Sequence, residues 1–395
     1  MTTTAGATEL RTLPLRTLVL LGALTAAAPL VTDFYLPALP DLARSLGTTE
    51  AAAQLTVSVS IVGLALGQLV AGPLSDRIGR LAPLRVGVLL LAVTSFLCAL
   101  ADDITLLLGL RLAQGLAAAA TLVVARAVVR DVYDGARAAR IFSELILVMG
   151  LAPVVGPMVG GQLLRVTDWR GIFVTLGVIA AVLLVATLAL LEETWVPRAA
   201  GSPNGFGLLL RDRAFLGFML VAGCLGVVLF TYISMSPFVL REEHGVGPVT
   251  FSWIFGANAA GMVVGAQLNA RLVGRHGPAS MLRAGLVVLA TAACCLAVAL
   301  AAGASLGVVL VPLWFVLCGL GMSFGNATAL ALVPHGGIAG SASALLGTSQ
   351  FLLGATVPPL LSIDGTTGVA MGGAMAVAAL VAMVVGIRLL APSPG

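Results

Sequence analysis

Of the chain's 395 residues, 59% are hydrophobic and 10% charged, and the mean hydropathy is +1.09. Side chains this apolar do not make a soluble globular domain, and the composition is that of a protein embedded in a lipid bilayer. The formal net charge is +4 and every basic residue is an arginine; these are dispersed along the chain rather than clustered on one domain, which argues against nucleic acid as a partner.

Crossing about 30 Å of hydrocarbon takes roughly 20 apolar residues per helix, and without water each backbone group must bond within its own segment. Continuous apolar blocks such as 86–100 and 178–191 stand where a membrane β-barrel would alternate. The predicted spans are 15–38, 51–73, 83–101, 104–127, 140–163 and 170–191, then 214–238, 249–271, 280–302, 305–330, 338–361 and 368–389. The expected fold is therefore an all-α polytopic membrane protein of twelve transmembrane helices. Between the sixth and seventh spans, Glu192 to Arg213 carries Pro197, a Gly-Ser-Pro-Asn-Gly run at 201–205 and three arginines. That stretch reads as a flexible linker, 192–213, between two six-helix bundles, 1–191 and 214–395. Its position at the midpoint implies duplication.

With the N-terminus inside, sixteen arginines fall on the cytoplasmic side and four outside (Arg44, Arg165, Arg170 and Arg241), while Arg111 lies within the membrane. This bias puts both termini in the cytoplasm. The first span is too long for a secretory signal and lacks a small-residue cleavage site. All five cysteines fall within spans, where they pack rather than pair, and the three histidines lie in separate loops without ligand spacing. No metal is expected. Asn326-Ala327-Thr328 matches a glycosylation sequon inside a span, where it is accidental.

Ionisable groups within a bilayer are costly and point to function. Asp33 lies roughly 27 Å along the first helix and Arg111 about 10 Å into the fourth from the opposite side, so the two reach similar depths. An ion pair between them is expected. It can serve the fold alone, or Asp33 can snorkel outward; the functional reading is a proton site, because desolvation favours the neutral carboxyl and a neighbouring arginine the charged one. Gln114 and Gly115 follow Arg111 at helical offsets, on the face expected to line a cavity.

Where the second span meets the third, Gly72-Pro73-Leu74-Ser75-Asp76-Arg77-Ile78-Gly79-Arg80 sets an acid and two arginines beside glycines at the membrane surface. These can be solvated interfacial charges of little weight. As a gate, Arg80 pairs with Asp131 while Asp76 faces the positive N-terminus of a helix in the other half. Glu144 lies one turn after Arg140 and is assigned to a local helical salt bridge. On the same span, Gly150, Pro153, Gly156, Pro157, Gly160 and Gly161 combine close helix contact with bending.

At these residues the chain resembles the drug:proton antiporters of the major facilitator superfamily. Gly72 to Arg80 resembles the superfamily's loop motif, Arg111-Leu112-Ala113-Gln114-Gly115 the fourth-helix motif, and Gly156 to Gly161 the fifth-helix element associated with exporters. The runs 32–40, 232–239 and 339–347 are similar to the bicyclomycin and chloramphenicol resistance branch, Bcr/CflA. The resemblance implies two pseudo-symmetric six-helix bundles that rock about a central site in a bacterial cytoplasmic membrane, a monomer, and proton-driven transport without a cofactor. One departure is visible: Leu268 to Arg275 looks like a decayed copy of the first loop, with Ala270 where the acid would fall.

Drug-sized molecules bind apolar pockets with a few polar groups, and Tyr35, Gln54, Gln114, Tyr232, Asn258, Asn326 and Gln350 are the candidate lining residues. Helix packing explains each of them as well. The expected function is proton-coupled efflux of small amphiphilic compounds, including antibiotics; export or import of an endogenous metabolite on the same scaffold is the alternative. With no nucleophile, metal cluster or nucleotide loop, an enzyme is not expected.

Overall fold

The computed structural model describes residues 13–133, 155–195 and 205–390, together with Ile141, Leu145, Val148 and Ala152. Glu144, Gly150 and Pro153 lie outside the described residues. The helices are α1 (Leu15–Asp33), α2 (Leu39–Ser45), α3 (Glu50–Ile78), α4 (Leu81–Ala99), α5 (Ile104–Val132), α6 (155–163) and α7 (Trp169–Leu190). They continue with α8 (Gly205–Leu209), α9 (Arg213–Phe238), α10 (Pro248–Ala301), α11 (Leu306–Leu332), α12 (Ala339–Leu361) and α13 (Gly368–Leu389).

Their starts are written in short polar residues. The side chains of Thr49, Asp103, Asp168, Asp212 and Thr367 accept hydrogen bonds from the first free N–H groups of α3, α5, α7, α9 and α13. Their interiors are apolar all round. Val86, Leu89, Leu90 and Val93 on α4, and Val178, Val182 and Val185 on α7, turn outward, as lipid contact requires. Among the described residues, nine helices are long and apolar enough to cross a membrane. One of these, Pro248–Ala301, turns at Gly277 (φ 77°) into two membrane-length pieces. Leu345–Leu361 is a shorter apolar helix, and most of the span expected over 140–163 lies outside the described residues.

The helices form two bundles: α1, α3, α4, α5 and α7 pack together, as do α9 to α13. Between the bundles, α3 meets α12, while α2 and the Leu36–Ala38 turn meet α9 and α10. The duplication is visible residue by residue. Gly63 and Gly67 let α3 close onto α5; Gly261 and Gly265 let α10 close onto α11, and Gly79 (φ 96°) turns the chain as Gly277 does. Matching Gly79 to Gly277 sets Arg275 opposite Arg77 and Gly274, rather than Ala270, where Asp76 would fall. Pro278 replaces Arg80. The second loop has thus lost both partners of the first loop's ion pair, so the expected asymmetry stands with a corrected register.

The stretch expected as a flexible linker is partly docked. Its start packs on the Gly79 turn, and α8 lies against α12 with Leu209 fully buried.

Candidate functional site

The first span does not run to residue 38 as one helix. Pro37 has no N–H to bond the Asp33 carbonyl, so α1 ends at Asp33; a 3-10 turn, Leu36–Ala38, and α2 follow. Asp33 therefore sits at the last residue of a broken helix, 4% exposed. Its carboxylate accepts a hydrogen bond from Thr32 Oγ1 at 3.1 Å. Gly156 on α6 leaves the space against Asp33 Cβ, and Gly160 lies on the Phe34 carbonyl. Asp33 is also near enough to Tyr232, in the other bundle, for the two to interact electrostatically.

Arg111 is fully buried on α5 and does not pair with Asp33, contrary to expectation. Its Nη1 donates to the carbonyl of Val31 (3.1 Å) and to Gln114 Oε1, and its Nε to the carbonyl of Thr56 (3.3 Å). The reason is local. Val31 carries one of the last four carbonyls of α1, which the helix cannot bond itself, and a guanidinium suits that negative end. The guanidinium stands 4.4 Å over the Tyr35 ring and 5.5 Å from that of Phe173. Tyr35 shares a 2.8 Å hydrogen bond with Thr56, and Gln114 Nε2 donates to Ser95 (2.7 Å). Arg111 Nη2 has no partner.

The other cavity candidates divide. In the second bundle Asn258 donates to the Tyr232 hydroxyl (3.3 Å), and Tyr232 stacks on Phe255 with centroids 4.9 Å apart. Gln54 bridges the bundles. Asn326 donates to Asn269 (2.6 Å) and to its own helix, and Gln350 packs where Gly226 brings α9 against α12. The last two join neither polar group.

At the Gly79 end, Arg80 Nε donates to Asp131 at 2.7 Å and Nη1 to Asp76 at 2.5 Å. Burial works to lower the pKa of Arg80, but the two carboxylates outweigh it and hold it above the usual value. Asp76 is 68% exposed and, among the described residues, its carboxylate bonds Arg80 alone, without the expected contact with a helix of the other half. Arg77 points to solvent. Gly72 packs beside Val123. One participant escaped the sequence reading: Glu193 accepts from the N–H groups of Arg80 (2.9 Å) and Leu81 (3.1 Å), capping α4, while the Trp195 indole donates to the Asp76 carbonyl (2.8 Å). Partial burial works to raise the Glu193 pKa, but its four backbone donors hold it below the usual range.

At the opposite end the bundles are bolted together. Arg241 bonds Asp41 (2.9 Å) and the Pro37 carbonyl (2.7 Å), Arg44 bonds Glu242 (2.8 Å), Glu50 accepts from Thr366 N, and Gln54 meets Thr366 and Ser362. Gly161 on α6 fits against Ser252 on α10. Among the described residues, every hydrogen bond and ion pair between the bundles lies at this end. The molecule is closed here.

Known proteins agree with this architecture. The family described as Major Facilitator Superfamily matches residues 21–359. The chain is 37% identical over 370 residues to the uncharacterized MFS-type transporter YdgK of Bacillus subtilis, covering 92% of each. It is 34% identical to a chloramphenicol resistance protein of Pseudomonas aeruginosa, covering 82% of this chain and 77% of that one. The structure of the nucleoside transporter NupG superposes with a TM-score of 0.75 at 14% identity, over 94% of this chain and 98% of the other. Two bundles joined at one end, with a buried acid and arginine in the first, are thus the framework of a multi-pass membrane transporter, not an enzyme, and the chain belongs to the major facilitator superfamily, in the branch that holds drug-resistance transporters.

Proposed function

We propose that the protein exports small amphiphilic compounds, antibiotics among them, across a bacterial cytoplasmic membrane in exchange for protons, acting as a monomer without a cofactor. The arginine bias supports an orientation with both termini and the Gly79 turn in the cytoplasm, so that the closed end faces outside and the protein rests open inward. The observation that carries the reading is Asp33: a buried carboxyl that makes no ion pair among the described residues, at the negative end of a helix that stops short in the membrane. Such a group is costly when charged and stable when neutral, and it gains and loses a proton as its access to water alternates. The Arg111–Tyr35–Gln114 group in one bundle and the Tyr232–Asn258 pair in the other supply polar handles among apolar residues, the pattern suited to drug-sized ligands.

Drug accumulation in cells tests the direction and energy source. Cells making the protein are expected to hold less chloramphenicol or ethidium than control cells, and an uncoupler should abolish the difference. Higher accumulation would mark an importer; efflux indifferent to the uncoupler would remove the proton.

A further inference from the structure

We infer that Arg241 is a positioning residue that holds the closed outer end and the Asp33-bearing segment as one unit, through its grip on the Pro37 carbonyl. The inference rests on the alternating-access reading above. Two contacts carry it. Arg241 Nη1 donates both to Asp41 Oδ2 at 2.9 Å and to the Pro37 carbonyl at 2.7 Å, and Nη2 reaches Asp41 Oδ1 at 3.3 Å.

The Pro37 carbonyl is available for a reason written in the sequence. A 3-10 turn would bond it to the N–H three residues on, and that residue is Pro40, which has none. Pro37 itself leaves the Asp33 carbonyl without its helical donor. Two prolines three residues apart thus end α1 at the acid and free an acceptor four residues beyond it. Arg241 arrives from the other bundle on a π-helical turn, Val239–Glu243, that follows Pro237. Single π turns of this kind mark functional positions. From the opposite side Arg111 holds the Val31 carbonyl. The segment 31–37, with Asp33 in it, is therefore pinned between an arginine of its own bundle and one of the other.

Exposure separates Arg241 from its neighbour. The Arg241 side chain is 10% exposed, against 59% for Arg44. Water and salt weaken the Arg44–Glu242 and Arg44–Asp41 pairs, whereas the Arg241 bonds are shielded. When the outer end opens, Arg241 must leave Pro37, and the last turn of α1 is then held from one side alone.

The test needs no transport. Ser252 is buried in the seam against Gly161, so Ser252→Cys in the full chain reports opening to a membrane-impermeant maleimide added from outside; the parent, with its five native cysteines, sets the background. Arg241→Gln removes both contacts, and Asp41→Asn removes the ion pair but leaves the Pro37 bond. With that background subtracted, Arg241→Gln is expected to label at least about ten-fold faster than Ser252→Cys alone, the shift from losing one charge-assisted hydrogen bond, and Asp41→Asn less than about three-fold faster. Parent-rate labelling in Arg241→Gln overturns the inference. Equal acceleration in both variants also overturns it, because the ion pair alone would then hold the gate. Should Arg241→Gln fail to fold, Arg241→Lys, which keeps the charge without the planar fork, is expected to fall between the two; parent-rate labelling there counts against the inference. Labelling as expected, together with efflux indifferent to the proton gradient, would fault the proton reading and leave the gate standing.

Discussion

Arg111 binds main-chain carbonyls rather than a carboxylate, and this changes what the residue does. It caps α1 and lies over Tyr35, so its charge organises the membrane end of the helix and leaves Asp33 unpaired. Arg111→Lys keeps the charge but loses the planar fork that spans Val31, Thr56 and Gln114. Each buried acceptor left unpaired costs about 1–3 kcal/mol, so this variant is expected to transport at least ten-fold more slowly and to melt several degrees lower. A transport rate within two-fold of the parent would mean that charge alone suffices. At the clamp between the bundles, partial burial works to raise the Asp41 pKa, but the hydrogen bonds and charges of Arg241 and Arg44 hold it below its ordinary 3.8. A depressed carboxyl contributes stability that is present above the ordinary value and is lost as pH falls through the lowered one. Glu242, Glu243 and Glu50 share this end. Labelling at Ser252→Cys, divided at each pH by that of a free thiol, should therefore stay flat from roughly pH 8 to 5 and rise only below about 4. A rise near neutrality would place another titrating group in the clamp.

The Gly79 turn shows how one element gathers its function from several. Gly79 has φ 96°, and a Cβ there would come within 2.8 Å of the Glu193 carboxylate that caps α4. Gly79→Ala must therefore strain the backbone by about 1–3 kcal/mol and displace the cap. Glu193→Gln removes a carboxylate from a helix N-terminus, an effect of about 0.3–1 kcal/mol, and is expected to lower the melting temperature by a few degrees at most. Melting of the purified variants checks the order: Gly79→Ala well below Glu193→Gln. The reverse order would make the cap, not the turn, the main support. Gly115 on α5 sits against the Ser60 carbonyl of α3, so Gly115→Ala drives those helices apart; overpacking of this kind costs about 1–3 kcal/mol. The loop's acid, arginines and glycines were legible because their spacing is local. Glu193 was not, because it caps a helix 112 residues away and nothing in its own neighbourhood marks it.

At the scale of the whole molecule, spans and bundles were readable because continuous apolar blocks and polar breaks follow directly from bilayer thickness. Counting along the sequence sets Asp33 and Arg111 at similar depths, but distance along a helix is not direction around it. Pro37 ends α1 at Asp33, and the arginine turns to the carbonyls so exposed. The clamp joins Asp41 to Arg241, 200 residues apart in different bundles, and sequence spacing cannot display such a pair. On the proposed reading, with that end closed, transport is a rocking of the bundles that releases the clamp and engages the Gly79 turn, while Asp33 exchanges its proton. The measurement that bears on this most directly is transport in everted vesicles under an imposed pH gradient, comparing the parent with Asp33→Asn. Asp33→Asn is expected to bind and exchange substrate across the membrane while losing accumulation against a gradient. Full gradient-driven accumulation with that carboxyl removed would contradict the account.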